Sequence, residues 1–172
     1  MAEPRPELSR HVPLGAIPPA GRTERVVATP AERRALAARF AIPSIEALEA
    51  EVELLPAPAG AVRATGWLKA RVVQDCVVTL EPFAQEVEAP LDLVFRPAGE
   101  ALSDDPDGPD ELEYEGSAIE LGEAVAEQLS LALDPYPRAP GASLPALEDE
   151  PEAAEPDRPN PFAVLAQRRP KG

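Results

Sequence analysis

One histidine, one cysteine and 31 carboxylates are the side chains from which chemistry would have to be built in this 172-residue chain. His11 sits two residues before Pro13 near the N-terminus, and a Ser-His-Asp or Cys-His nucleophilic arrangement would have to recruit it. A lone surface histidine is the plainer reading. Cys76 falls on the apolar parity of a long alternating stretch. A cysteine there behaves as a small hydrophobe, and only an electropositive, partly exposed setting makes it reactive. A single cysteine also excludes an intramolecular disulfide or a zinc cage of this chain's own thiols. Among the 10 glycines no G-x-x-x-x-G-K-[ST] or G-x-G-x-x-G pattern forms a phosphate cradle. The segment DDPDGPDE resembles a calcium loop only loosely, lacking the required order and the glutamate at the right distance. Carboxylates abound, so a metal-dependent hydrolase stays as the remote alternative. Those that cluster lie in a Pro- and Gly-containing stretch, whereas catalysis needs rigid placement. The chain therefore reads as a non-enzyme without a cofactor, a catalytic residue or a metal site.

What the charged residues do offer is binding. Lys+Arg is 16 and Asp+Glu is 31, a formal net charge of -15. Residues 1–40 run against that trend, with seven arginines against four glutamates. Residues 103–120 carry eight acids and no base. Such a block repels itself and stays solvated, and it attracts cationic protein while repelling phosphate. Asp104, Asp105, Asp107, Asp110, Glu111, Glu113 and Glu115 are accordingly the candidate contacts for a basic partner. A second candidate surface has the opposite sign. Trp67 shares one strand parity with Arg63, Lys69 and Arg71, and an aromatic interleaved with bases on a sheet face is how single-stranded RNA binders stack bases and hold phosphates. Arg33 and Arg34 extend that surface. The alternative is a second packing face, with Trp67 covered by a helix and the bases reaching past it to water.

The elements that must position these groups are readable in part. Thr29, Pro30 and Glu32 spell a capped helix start, and Leu36 and Phe40 stack at i, i+4 before the helix ends by Ile42-Pro43. Residues 7–14 and 24–29 suit short strands, and 44–48 a short turn. Ala50, Val52 and Leu54 alternate with Glu51 and Glu53. A period-two run extends from Val62 to Leu80, too long for one flat strand, with a bend expected near Gln74-Asp75 or at Gly66, which also allows a bulge. Residues 85–95 alternate again, and Pro90 implies a strand with an unpaired side. Short strands fit 111–114 and 117–119, and a second helix fits Leu121–Leu133 by its i, i+3, i+4, i+7 pattern. The expected fold is α+β, an antiparallel, strongly bent and partly barrel-like sheet with two helices. Residues 1–6 are expected to be flexible, 7–138 to form a single domain with an acidic flexible loop at 103–113, and 139–172 to be a disordered, acidic, Pro-rich tail. Within that tail Asn160, Pro161, Phe162 and Leu165 form a short anchor at 160–167. No apolar run approaches the length of a membrane span and no secretory signal is evident, so a reducing cytoplasm is the expected compartment.

Three motifs follow one another along the chain, QDCVVTLEPFAQEVEAPLDLVFRP (74–97), AIELGEAVAEQLSLALDPYPR (118–138) and NPFAVLAQ (160–167). Their order and spacing resemble those of the YceD-like family, bacterial and plastid factors named for large-subunit ribosomal RNA accumulation. The motif residues fall on Cys76, Leu80, Glu81 and Pro82, then on Leu121, Gly122, Glu127, Gln128, Leu131 and Pro135, and then on the tail anchor. Many members have a second cysteine three residues after the first, where this chain has Thr79, and the usual aspartate before Leu-Gly is Glu120. The resemblance implies no catalytic residues. It implies an accessory role in biogenesis of the large ribosomal subunit and in processing or accumulation of 23S ribosomal RNA. The partners it implies are a large-subunit ribosomal protein, the ribosomal RNA precursor, or both, with no membrane and no small-molecule substrate.

Overall fold

The computed structural model describes residues 6–103, 105 and 107–143. The helix start expected at Thr29 opens α1 (Pro30–Arg39). The Thr29 hydroxyl accepts from the Glu32 N–H, and the Glu32 carboxylate accepts from the Thr29 N–H at 2.7 Å. Two donors that a helix end leaves open are thereby satisfied. Ala41, at φ 54, turns the chain out of the helix three residues before the next strand.

Five strands form the main sheet. These are β2 (Arg22–Val27), β3 (Ser44–Pro56), β4 (Val62–Asp75), β5 (Pro82–Pro97) and β6 (Asp110–Tyr114), hydrogen-bonded in that order. A separate antiparallel ribbon joins β1 (His11–Pro13) to β7 (Ala118–Glu120), which leads directly into α2 (Leu121–Ala132). The neighbours β2–β3, β3–β4 and β4–β5 are antiparallel, whereas β5 and β6 run parallel.

This corrects the expected sheet in two respects. It is mixed rather than antiparallel, because residues 98–109 carry the chain back along β5 before β6 begins, pairing Leu93 with Asp110 and Pro97 with Tyr114. It is also open rather than strongly bent or barrel-like. Its order ends at β2 and β6, and β4 is paired without a break from Val62 to Asp75 against β5. The long period-two run needs no bend, since residues 76–81 form a turn after Asp75. No bulge occurs at Gly66; the one register shift is in β3, between Ile45 and Ala47. There the segment expected as a turn at 44–48 is strand, because one extra residue lets Ile45 and Leu48 both reach the core.

Alternation sorts the sheet into two faces. Val62, Ala64, Leu68, Ala70 and Val72 of β4 are buried, with Val52 and Leu54 of β3 and Leu91 and Leu93 of β5 on the same side. Leu121, Val125 and Leu129 of α2 close over this face, and Leu36 of α1 joins the same core. The opposite face has no helix on it among the described residues, and it presents the odd-numbered side chains of β4. Pro90 lies on the part of β5 that β6 does not reach, so its missing N–H breaks no ladder bond. No helix among the described residues is long and apolar enough to cross a membrane.

Candidate functional site

The two helices leave the outer face of the sheet open, and the candidate residues of β4 lie there. Trp67 is 58% exposed. The reading in which a helix covers it is therefore overturned. Its cross-strand neighbours are Glu51 on β3 and Pro90 on β5. Register decides the fate of the bases beside it. Arg63 forks onto both oxygens of Asp92 at 2.9 and 3.0 Å. Lys69 meets Glu88 at 2.9 Å, and Arg71 meets Glu46 at 2.7 Å and Glu86 at 3.8 Å. Arg25 on β2 meets Glu49 at 2.8 Å. Opposite charges facing one another across antiparallel strands stabilise the pairing modestly. The chemical consequence is larger: each of these bases already faces a carboxylate.

Around Trp67 the face forms an open groove of about 950 Å³. Five carboxylates line it (Glu49, Glu51, Glu53, Glu88 and Asp92) against two bases, Arg25 and Lys69. Glu51 and Glu53 make no ion pair among the described residues. These acids are the residues that sequence reading missed as a site. The signal was present in the E-x-E-x-E run at 49–53 and in the polar parity of 86–92, but only the strand register sets them around the tryptophan. Arg33 reaches the neighbouring end of this face, beside Lys69 and Arg71. Arg34 is exposed on α1.

The acidic block is less uniform than its composition. Glu111 is nearly buried and receives the Arg96 guanidinium at 2.7 Å and the Ser103 N–H at 2.7 Å. The Arg96 hydrogen bond is the main reason its carboxyl sits below the usual range. Asp110 accepts from the Gln128 amide at 2.9 Å. Asp105 turns inward to accept the Asp107 N–H at 3.1 Å, although both residues are exposed, as are Glu113 and Glu115. The block thus keeps Asp105, Asp107, Glu113 and Glu115 exposed and without a base among the described residues, while Asp110 and Glu111 of β6 are engaged. Asp104 and the anchor Asn160, Pro161, Phe162 and Leu165 lie outside the described residues.

The family-motif residues organise two joints. At the first, Cys76 is fully buried in the turn between β4 and β5. Its Sγ accepts the N–H of Thr79 at 3.5 Å and the N–H of Ala139 at 3.3 Å. The Thr79 hydroxyl and these N–H groups lower the thiol from 9.0 to about 7. The sulfur is thus a hydrogen-bond acceptor as well as a filler of space, a role its apolar parity hid. Cys76 N–H donates to Glu81 at 2.9 Å, Val77 N–H to Pro137 at 2.9 Å, and Leu80 stands 80% exposed at φ 59 just before Pro82. The second joint is the start of α2. Glu120 accepts from the Gly122 N–H at 3.2 Å, from the Ser9 hydroxyl at 2.7 Å and from the Arg10 N–H. It caps the helix and holds the N-terminal segment at once. Leu121 and Gly122 are buried, Glu127 is half-buried and pushed up by burial, and Leu131 and Pro135 are exposed.

Among the described residues no three His, Cys, Asp or Glu side chains converge to hold a metal ion. The family model for "Large ribosomal RNA subunit accumulation protein YceD" matches residues 64–167, which is more than half of the chain. No curated protein and no solved structure matches it.

Proposed function

Since this chain belongs to the YceD family, a non-enzymatic family of ribosome biogenesis, we propose that it supports accumulation of 23S ribosomal RNA by holding a basic protein of the large subunit. The observation that carries this reading is the pairing of the bases. On the outer sheet face Arg25, Arg63, Lys69 and Arg71 all face carboxylates, and the carboxylates outnumber them. A phosphate backbone would have to open those pairs and approach a chain of net charge -15. A basic protein finds the excess acids directly, and the field of such a surface attracts it from a distance. A held ribosomal protein is kept from unspecific contact with RNA until it is delivered, which places the action in the cytoplasm with the assembling subunit.

The test is a direct competition. Purified chain is titrated with a basic large-subunit ribosomal protein and, separately, with a large-subunit RNA fragment, at two salt concentrations. Saturable binding of the protein that weakens with salt, with no comparable binding of the RNA, is the expected outcome. RNA binding that is lost in Arg63→Ala/Trp67→Ala, without protein binding, would replace this reading with direct RNA contact.

A further inference from the structure

We infer that the groove at Trp67 is a recognition site for an arginine side chain presented by an arginine-rich protein segment. The inference rests on the basic-protein reading above and assigns it a place, on the sheet rather than on the acidic loop. The exposed indole is bordered by Glu51 across one strand and by Pro90 across the other. Pro90 offers no N–H and no charge, so the ring keeps an apolar wall on that side. Glu51 stands opposite Arg25 of β2 but makes no ion pair with it, and Glu53 makes none among the described residues, whereas Glu49, Asp92 and Glu88 hold Arg25, Arg63 and Lys69. The chain's own cations are thus tied away from the ring. The cation–ring contact recorded among the described residues is elsewhere, Arg39 over Phe40 at 6.0 Å.

An open aromatic face beside two carboxylates that make no ion pair among the described residues is complementary to one kind of side chain. A guanidinium is planar and weakly hydrated, stacks on an indole, and directs paired N–H groups at a carboxylate. A lysine ammonium matches the charge but not the plane. A nucleobase matches the ring, but its phosphate meets five groove carboxylates against two paired bases. The backbone supports the site as well. A Cβ on Gly66 would stand 2.0 Å from the Glu51 carbonyl oxygen, so glycine lets β4 lie close to β3 next to Trp67 and Glu51. The groove volume of about 950 Å³ suits a segment lying across the face rather than one isolated side chain.

Trp67 is the only tryptophan, so its emission reports on the site directly. The probe is an octa-arginine peptide, added to the full chain while Trp67 emission and the anisotropy of a labelled peptide are followed. Saturable binding is expected, with octa-lysine weaker by about fivefold and with affinity falling as salt rises. Glu51→Gln/Glu53→Gln and Trp67→Ala should each weaken the peptide by about tenfold or more. These side chains are exposed, and unchanged circular dichroism checks that the fold persists. Asp105→Asn/Asp107→Asn/Glu113→Gln/Glu115→Gln should stay within about threefold of the parent near physiological salt. If the peptide binds the parent but only the loop variant loses it, the site is overturned and the basic-protein reading stands. Equal binding by every variant has the same meaning. A parent chain that binds no arginine peptide overturns the site; if it also binds no basic ribosomal protein, the reading beneath it falls too.

Discussion

Glu32 shows how much of the charge that looks like surface is structural at the level of single residues. Its carboxylate closes the capping box of α1 and also receives Arg10 at 2.7 and 3.0 Å. Arg10 in turn donates to the carbonyls of Ser9 at 2.6 Å and Val27 at 2.9 Å. One carboxylate therefore fastens the N-terminal segment to the end of β2 and the start of α1. Arg39 does similar work, reaching Glu7 at 3.0 Å and Glu123 at 2.7 Å. Four of the N-terminal arginines, Arg10, Arg22, Arg25 and Arg39, are engaged in this way. That leaves Arg33 and Arg34 as the members of the group without an ion pair among the described residues. The Arg10 guanidinium and the Thr29 N–H hold the Glu32 carboxyl at about 2, against an ordinary 4.5, while burial opposes them. A carboxylate depressed on folding adds stability above its unfolded value and loses it as pH falls through its folded value. The parent should therefore lose stability between about pH 4.5 and pH 2 through this group, by about 1–3 kcal/mol after allowance for partial solvent screening. Glu32→Gln should be less stable than the parent near neutral pH, and urea unfolding should show the difference closing as pH approaches 2. A difference independent of pH would mean that the packing of the side chain matters and its charge does not.

At the scale of elements, the joint between the N-terminal segment and α2 is closed on both sides by backbone. A Cβ on Gly122 would lie 2.6 Å from the Leu8 carbonyl oxygen and 2.7 Å from the Arg10 nitrogen. Both obstacles are backbone, so the helix start and the β1–β7 ribbon would have to move apart. Gly122→Ala is expected to destabilise by about 1–3 kcal/mol as an overpacked contact. Gly15→Ala, which meets nothing within 4 Å, should stay within about 0.5 kcal/mol of the parent, and thermal unfolding compares the two. The sequence carries this joint as a Leu-Gly pair after a glutamate, so its chemistry was legible while its crowding was not. The same division runs through the fold. The cap at Thr29, the alternation of Val62–Val72 and the apolar stripe of α2 are local patterns, and each settled into the expected element. The β3 register shift, the parallel return of β6 and the diagonal pairing of Arg63 with Asp92 are not local. A bulge adds one residue and scrambles parity, a twelve-residue connection allows either strand direction, and a cross-strand partner exists only once register is chosen. The groove at Trp67 depends on the register of all four strands that line it, which is why the tryptophan was visible as a candidate and its carboxylate border was not.

For the whole molecule, charge acts at two ranges, and the two acidic regions should separate by kinetics. Asp105, Asp107, Glu113 and Glu115 are exposed and hold no base among the described residues, so they contribute mainly to the long-range field. Glu51 and Glu53 border an aromatic ring and act at contact distance. Long-range charge changes the rate of encounter, and short-range contacts change the rate of escape. Neutralising the four loop acids removes four of 31 carboxylates. It should slow association with an arginine-rich peptide about threefold at about 20 mM salt and have no measurable effect at about 300 mM, where screening reaches only a few ångströms. Its dissociation rate should match the parent at both salts. Glu51→Gln/Glu53→Gln should show the converse, with dissociation about tenfold faster at either salt and association little changed. Stopped-flow recording of Trp67 emission measures both rates in one experiment. If the loop variant instead accelerates dissociation, the exposed acids of the loop touch the partner. The holding surface would then have to be moved from the Trp67 groove to the acidic block at 105–115.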